Sequence, residues 1–133
     1  LVIPNGISFV LEEPEQKLCP KTQVDLFNDL VALCNGEHSS TVFMTTHSPY
    51  VLAAANILLF ANKLLEAGVE KNAIDEVISA GSTIPAAEFT AYTVSNGTCH
   101  SIIDEKTGLI SENELDSASD YNAEVFEKLY NLY

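Results

Sequence analysis

Phe9-Val10-Leu11-Glu12-Glu13-Pro14-Glu15 begins apolar and ends in three carboxylates around a proline. Ile7 to Leu11 are mostly apolar, with β-branched and aromatic members, which predicts a short buried strand. Pro4-Asn5-Gly6 marks a turn before it, and Pro14, having no ladder donor to offer, closes it. Thr41 to Thr46 is a second strand rich in β-branched residues and ends at His47. Ser48-Pro49 then supplies an N-cap and a favoured first-turn proline, so a helix starts directly after the histidine and runs toward Gly68. Between the strands, Pro20 opens a helix in which Val24, Phe27, Leu30, Val31 and Cys34 recur at helical spacing until Gly36 stops it. Strand, helix, strand, helix predicts an α/β fold with a parallel sheet, where ligands sit beyond the carboxyl ends of the strands. Glu12, Glu13 and His47 all fall at those ends.

The rest of the chain carries less pattern. Val69 to Glu88 has a weak helical spacing around Ile74, Val77 and Ile78, then a break at Gly81-Ser82, and reads as a mixed lid. Phe89 to Val94 and Thr98 to Ile103 flank Asn96-Gly97, the strongest short-range hairpin signal. Tyr121, Val125, Phe126, Leu129 and Tyr130 mark a final amphipathic helix. Internal repeats and low-complexity segments are absent from the sequence.

At 133 residues the chain is about one domain long, enough to bury roughly two-thirds of its unfolded surface. Hydrophobic content of 47% with 19% charged residues is that of a globular protein, and the aliphatic runs are too short or too interrupted to span a bilayer. No charged segment followed by an apolar one opens the chain, so no signal peptide is expected. The chain starts at Leu1 and its only methionine is Met44, which predicts a processed product or a shortened piece of a longer polypeptide. Three cysteines, Cys19, Cys34 and Cys99, form no close pair, and a reducing cytoplasm is the expected location. The net charge of −13, with six lysines and no arginine, argues against nucleic-acid binding, because no cationic stripe exists to neutralise phosphates. It also removes any arginine finger. From Asp104 onward, eight acidic residues stand against Lys106 and Lys128, giving a solvated acidic face or one that meets a basic partner.

Two adjacent carboxylates at a strand exit suit phosphoryl hydrolysis. One acid can hold Mg²⁺ through its water shell while the next orients the attacking water, and a histidine from the neighbouring strand can touch the terminal phosphate. At these residues the sequence resembles a known group. Phe9 to Glu15 followed by Leu18-Cys19-Pro20 is similar to the Walker B and D-loop run of ABC-type ATPases in the OLD (overcoming lysogenisation defect) and abortive-infection AAA group. Val42-Phe43-Met44-Thr45-Thr46-His47-Ser48-Pro49-Tyr50 resembles the H-loop of the same group. His47 follows Glu13 by 34 residues, room for one helix, as in that family. The two motifs cover residues 7 to 50; the hairpin, the turn at Gly108 and the last helix resemble the family's C-terminal end less specifically.

The resemblance implies that residues 1–133 are the C-terminal half of an ABC-type ATPase domain, a partial P-loop NTPase sheet. Residues 1–68 would span the Walker B to H-loop core, and 69–133 a lid, hairpin and acidic helix. It makes Glu13 and His47 the catalytic pair, with His47 also contacting the γ-phosphate, and Glu12 the Mg²⁺-side acid acting through water. Glu15 and Leu18 would sit in the D-loop facing a partner head. Cys19 stands where the family usually has histidine, which puts a cross-interface role of that position in doubt. ATP and Mg²⁺ are the implied cofactors of the intact parent. None of the six glycines is followed by lysine, so the phosphate loop is missing, as is any L-S-G-G signature. The expected partners are therefore the absent N-terminal half and a second head in a homodimer, with no nucleic acid or membrane bound by this chain, and the chain alone is expected to be inactive. An alternative of a different class is a non-catalytic acidic protein-interaction module derived from such an ATPase.

Overall fold

The computed structural model describes residues 7–36, 40–78, 80–111 and 125–130. Strand β1 (Ser8–Glu12) leads through helix α1 (Pro20–Cys34) to strand β2 (Thr41–Thr45), and helix α2 (Pro49–Glu66) comes at once after it. A one-turn helix α3 (Lys71–Asp75) and two 3₁₀ turns, Ala80–Ser82 and Ala86–Glu88, connect to strands β3 (Tyr92–Ser95) and β4 (Thr98–Ser101). Residues 125–130 are helical, and Phe126 stacks on Tyr130 there. Tyr121, the start of the expected last helix, and most of the acidic tail lie outside the described residues.

β1 and β2 pair in parallel, Ser8 opposite Thr41 and Glu12 opposite Thr45. Alternation along each strand divides the pair into two faces. Phe9, Leu11, Val42 and Met44 are half-buried, and Met44 packs on the core. The opposite face is bare: Val10 and Phe43, which sit across from one another, are 78% and 64% exposed. A parallel pair is normally covered on both faces, so this is an unusual surface for the observed elements.

The core is built on α2. Val51, Ala54, Ala55, Leu58 and Leu59 recur at helical spacing and are all buried, meeting Phe27 of α1, Ile84 and Ile110. The small Ala54 and Ala55 let α1 and α2 approach closely. α2 starts where Ser48 accepts a hydrogen bond from the Val51 amide at 3.3 Å, with Pro49 in the first turn. Its far side, with Tyr50, Ile57 and Phe60 each about half exposed, is apolar too. Only toward its end, at Lys63 and Glu66, does the helix become charged. Among the described residues no helix is long and apolar enough to cross a membrane.

Within the stretch read as a mixed lid, Ile74 and residues 82–84 pack into the protein while most of the other described positions are exposed. Ser82, Thr83 and Ile84 are buried, the Ile84 amide donates to the Leu58 carbonyl at 3.2 Å, and Asn35 bonds the Gly81 and Thr83 carbonyls from the end of α1. Polar residues hid this in the sequence, because backbone hydrogen bonds rather than an apolar stripe fix the segment. The hairpin turns at Asn96-Gly97, both at positive φ, as the sequence predicts. Its first strand begins at Tyr92 rather than Phe89, because Ala86–Glu88 form a 3₁₀ turn and Phe89 packs on the core. Beyond it, the Asn56 side chain donates to the Ile110 carbonyl at 3.0 Å and accepts from its amide at 2.7 Å, standing in for a strand partner.

Truncating Leu58, 3% exposed, to alanine should lower stability by about 2–5 kcal/mol through lost burial and a cavity. Ile57→Ala, on the exposed side of the same helix, should stay within about 0.5 kcal/mol. Urea unfolding of both variants checks this, and similar losses would contradict the assigned inner face.

Candidate active site

The ends of β1 and β2 lie side by side, so the loops that leave the two strands meet. Glu13 leaves β1 at φ 42°, a conformation uncommon for a residue with a side chain, and its amide donates to the Thr45 carbonyl and hydroxyl at 3.1 and 3.2 Å. Pro14 then occupies the second position of a turn closed by the Gln16 amide on the Glu13 carbonyl at 3.0 Å. This turn throws the Glu13 carboxylate toward the histidine. Glu13 Oε1 lies 3.1 Å from His47 Nε2, and Gln16 donates to Glu13 Oε2 at 2.6 Å. The His47 tautomer bearing its proton on Nε2 donates to the carboxylate, which is thereby held from both sides. The His47 side chain is 82% exposed and that of Glu13 26%, so the pair is open to a ligand from solvent.

Glu12, the last residue of β1, shares the bare face with Val10 and is exposed. The two adjacent acids therefore part: Glu13 turns to His47, and Glu12 stays on the outer face of the sheet. Glu15 is buried, its Oε1 accepting from the Thr46 hydroxyl and from the His47 amide. Leu18 is half-buried, and its carbonyl accepts from the Gln23 amide group at 2.9 Å. Gln23 also accepts from the Ser48 hydroxyl, and the Ser48 amide donates to Thr46 Oγ1 at 3.0 Å. Hydrogen bonds thus run from the turn after β1, through the histidine loop, to the start of α2 and back through α1. Gln16, Gln23, Thr45, Thr46 and Ser48 form this frame. The Thr45-Thr46 pair and the helix-capping Ser48 were visible as signals in the sequence, whereas Gln16 and Gln23 carried none.

Cys19 sits at the N-cap of α1, exposed, with Sγ 3.0 Å from the Thr22 hydroxyl. Hydrogen bonds from the Thr22 hydroxyl, and then its amide, hold the thiol below its usual pKa. Burial pushes the Cys34 thiol up. Among the described residues no group of three or more His, Cys, Asp and Glu side chains is arranged to hold a metal ion.

Comparison with protein families, with curated proteins and with solved structures finds no match.

Because the thiolate is the nucleophile, iodoacetamide at neutral pH should modify Cys19 before Cys34, and Thr22→Val should slow the Cys19 reaction. Mass spectrometry of the alkylated peptides reads the order, and Cys34 reacting first would contradict the site geometry.

Proposed function

We propose that this chain supplies the hydrolysis half of an ABC-type ATPase head of the OLD and abortive-infection group. The observation that carries the reading is the meeting of Glu13 and His47, 34 residues apart in sequence and 3.1 Å apart in space, at the carboxyl ends of adjacent parallel strands. Glu13 is the acid that accepts a proton from the attacking water. His47 and Gln16 hold that carboxylate in one orientation, and with both ring nitrogens protonated His47 would keep its Nε2–H on Glu13 and offer its Nδ1–H to a terminal phosphate. Glu12, which leaves the strand on the outer face, would have to turn toward the Glu13–His47 pair to offer a hard oxygen to the water shell of Mg²⁺, which would supply charge neutralisation at the phosphates.

The phosphate-cradling amides and lysine have no counterpart in this sequence, so nucleotide has to be held by another part of the head. The bare Val10–Phe43 face and the apolar outer side of α2 support the same view, being surfaces that further strands and helices of a complete head would cover. On this reading the partners are the remainder of the head and a second head, in the cytoplasm.

The chain alone should release no phosphate from ATP above a Glu13→Gln control. In a complete head that includes this chain and its phosphate loop, Glu13→Gln keeps size and shape but weakens the proton acceptor. Turnover should then fall by about 10² or more while ATP still binds. Phosphate release and nucleotide binding measured together check this. Wild-type turnover by the Glu13→Gln head would return the pair to a charged strand end and favour the acidic interaction module.

A further inference from the structure

Glu15 is the one acidic side chain buried among the described residues, at 5% exposure, and none of its atoms takes part in the Glu13–His47 contact itself. A buried carboxylate is unfavourable unless its oxygens are used, and here Oε2 has no hydrogen-bond partner while Oε1 takes two donors. Both donors flank the same peptide: the Thr46 hydroxyl and, at 3.3 Å, the His47 amide.

The parallel ladder explains why an acceptor is needed there. Rungs alternate along β1, from the Thr41 amide on the Ile7 carbonyl to the Glu13 amide on the Thr45 carbonyl. The next rung would place the His47 amide on the Glu13 carbonyl. That carbonyl is taken by the Gln16 amide in the turn that aims Glu13, so the His47 amide is left without its ladder partner. Glu15 Oε1 fills the place and continues the ladder by one rung. The imidazole itself is 82% exposed, so few contacts other than its own backbone set its direction.

We propose that Glu15 is a positioning residue whose carboxylate pins the His47 backbone to the exit of β1, keeping the imidazole within reach of Glu13. The pinning stands on the geometry alone; its consequence for catalysis rests on the ATPase reading. A neutral acceptor can make both bonds, so Glu15→Gln retains the function and Glu15→Ala loses it.

Amide hydrogen exchange of the full chain tests the pinning without any activity. Protection of the His47 amide should fall about tenfold or more in Glu15→Ala, the scale of one lost hydrogen bond, and stay near wild type in Glu15→Gln. The Phe43 and Thr45 amides inside β2 serve as controls and should keep their protection. Unchanged His47 protection in Glu15→Ala, or equal loss along all of β2, overturns the proposal. In the complete ATPase, Glu15→Ala should lower kcat with KM for ATP little changed, and should cost nothing further in a His47→Ala background. A further loss in that background would show a role not acting through His47 and overturns the proposal. If the exchange result holds but His47→Ala hydrolyses ATP normally, the ATPase reading of His47 fails and the pinning stands.

Discussion

The in-phase parallel register of β1 on β2 is the constraint on which the rest of this molecule's chemistry depends. Glu12 lies opposite Thr45, so both strands end at one level and the turns beyond them share one space. A strand advances about 3.3 Å per residue, so a slip of two residues would carry Glu13 and His47 some 6–7 Å apart along the sheet. A slip of one would also turn Phe9 and Leu11 away from the helices. The register therefore places the site, and the face on which half-buried Met44 packs against the core also carries Phe9 and Leu11.

The register alone does not aim side chains, and the loops complete the work by hydrogen bonding. The Pro14 turn directs Glu13 inward at the expense of one ladder acceptor, Glu15 replaces that acceptor, and Ser48 joins the histidine loop to the first turn of α2. Because α2 carries most of the buried apolar residues, the loop is tied to the element with the largest share of the core. The open side of the arrangement is equally consistent. Val10, Phe43, Ile57 and Phe60 leave apolar side chains exposed there.

Much of the element order, and the position of the candidate site residues at the strand ends, could be read from the residues themselves. The strands ending at Glu12 and near His47, the proline-started helices and the Asn96-Gly97 hairpin each had a local cause, and each lies within a few residues of where it was expected. The stretch from Val69 to Glu88 was opaque because residues 81–84 are held by distant partners, the Leu58 carbonyl and the Asn35 side-chain amide, rather than by their own periodicity. The site divided in a similar way. Glu13 and His47 stood out as residue types at strand ends, but the parting of Glu12 from Glu13 depends on one positive φ that no propensity signals. The inward turn of Glu15 was hidden for the same reason: a carboxylate after a proline reads as exposed until the unsatisfied His47 amide is known.

The register is tested most directly at its last rung. Through-hydrogen-bond scalar coupling, in a long-range amide-to-carbonyl NMR experiment, should link the Glu13 amide nitrogen to the Thr45 carbonyl carbon, across their 3.1 Å contact. That cross peak places the acid beside the histidine loop. A peak from the Glu13 amide to Phe43 or to His47, or none from Glu13 while the inner rungs of β1 are seen, would contradict the alignment from which the site is built.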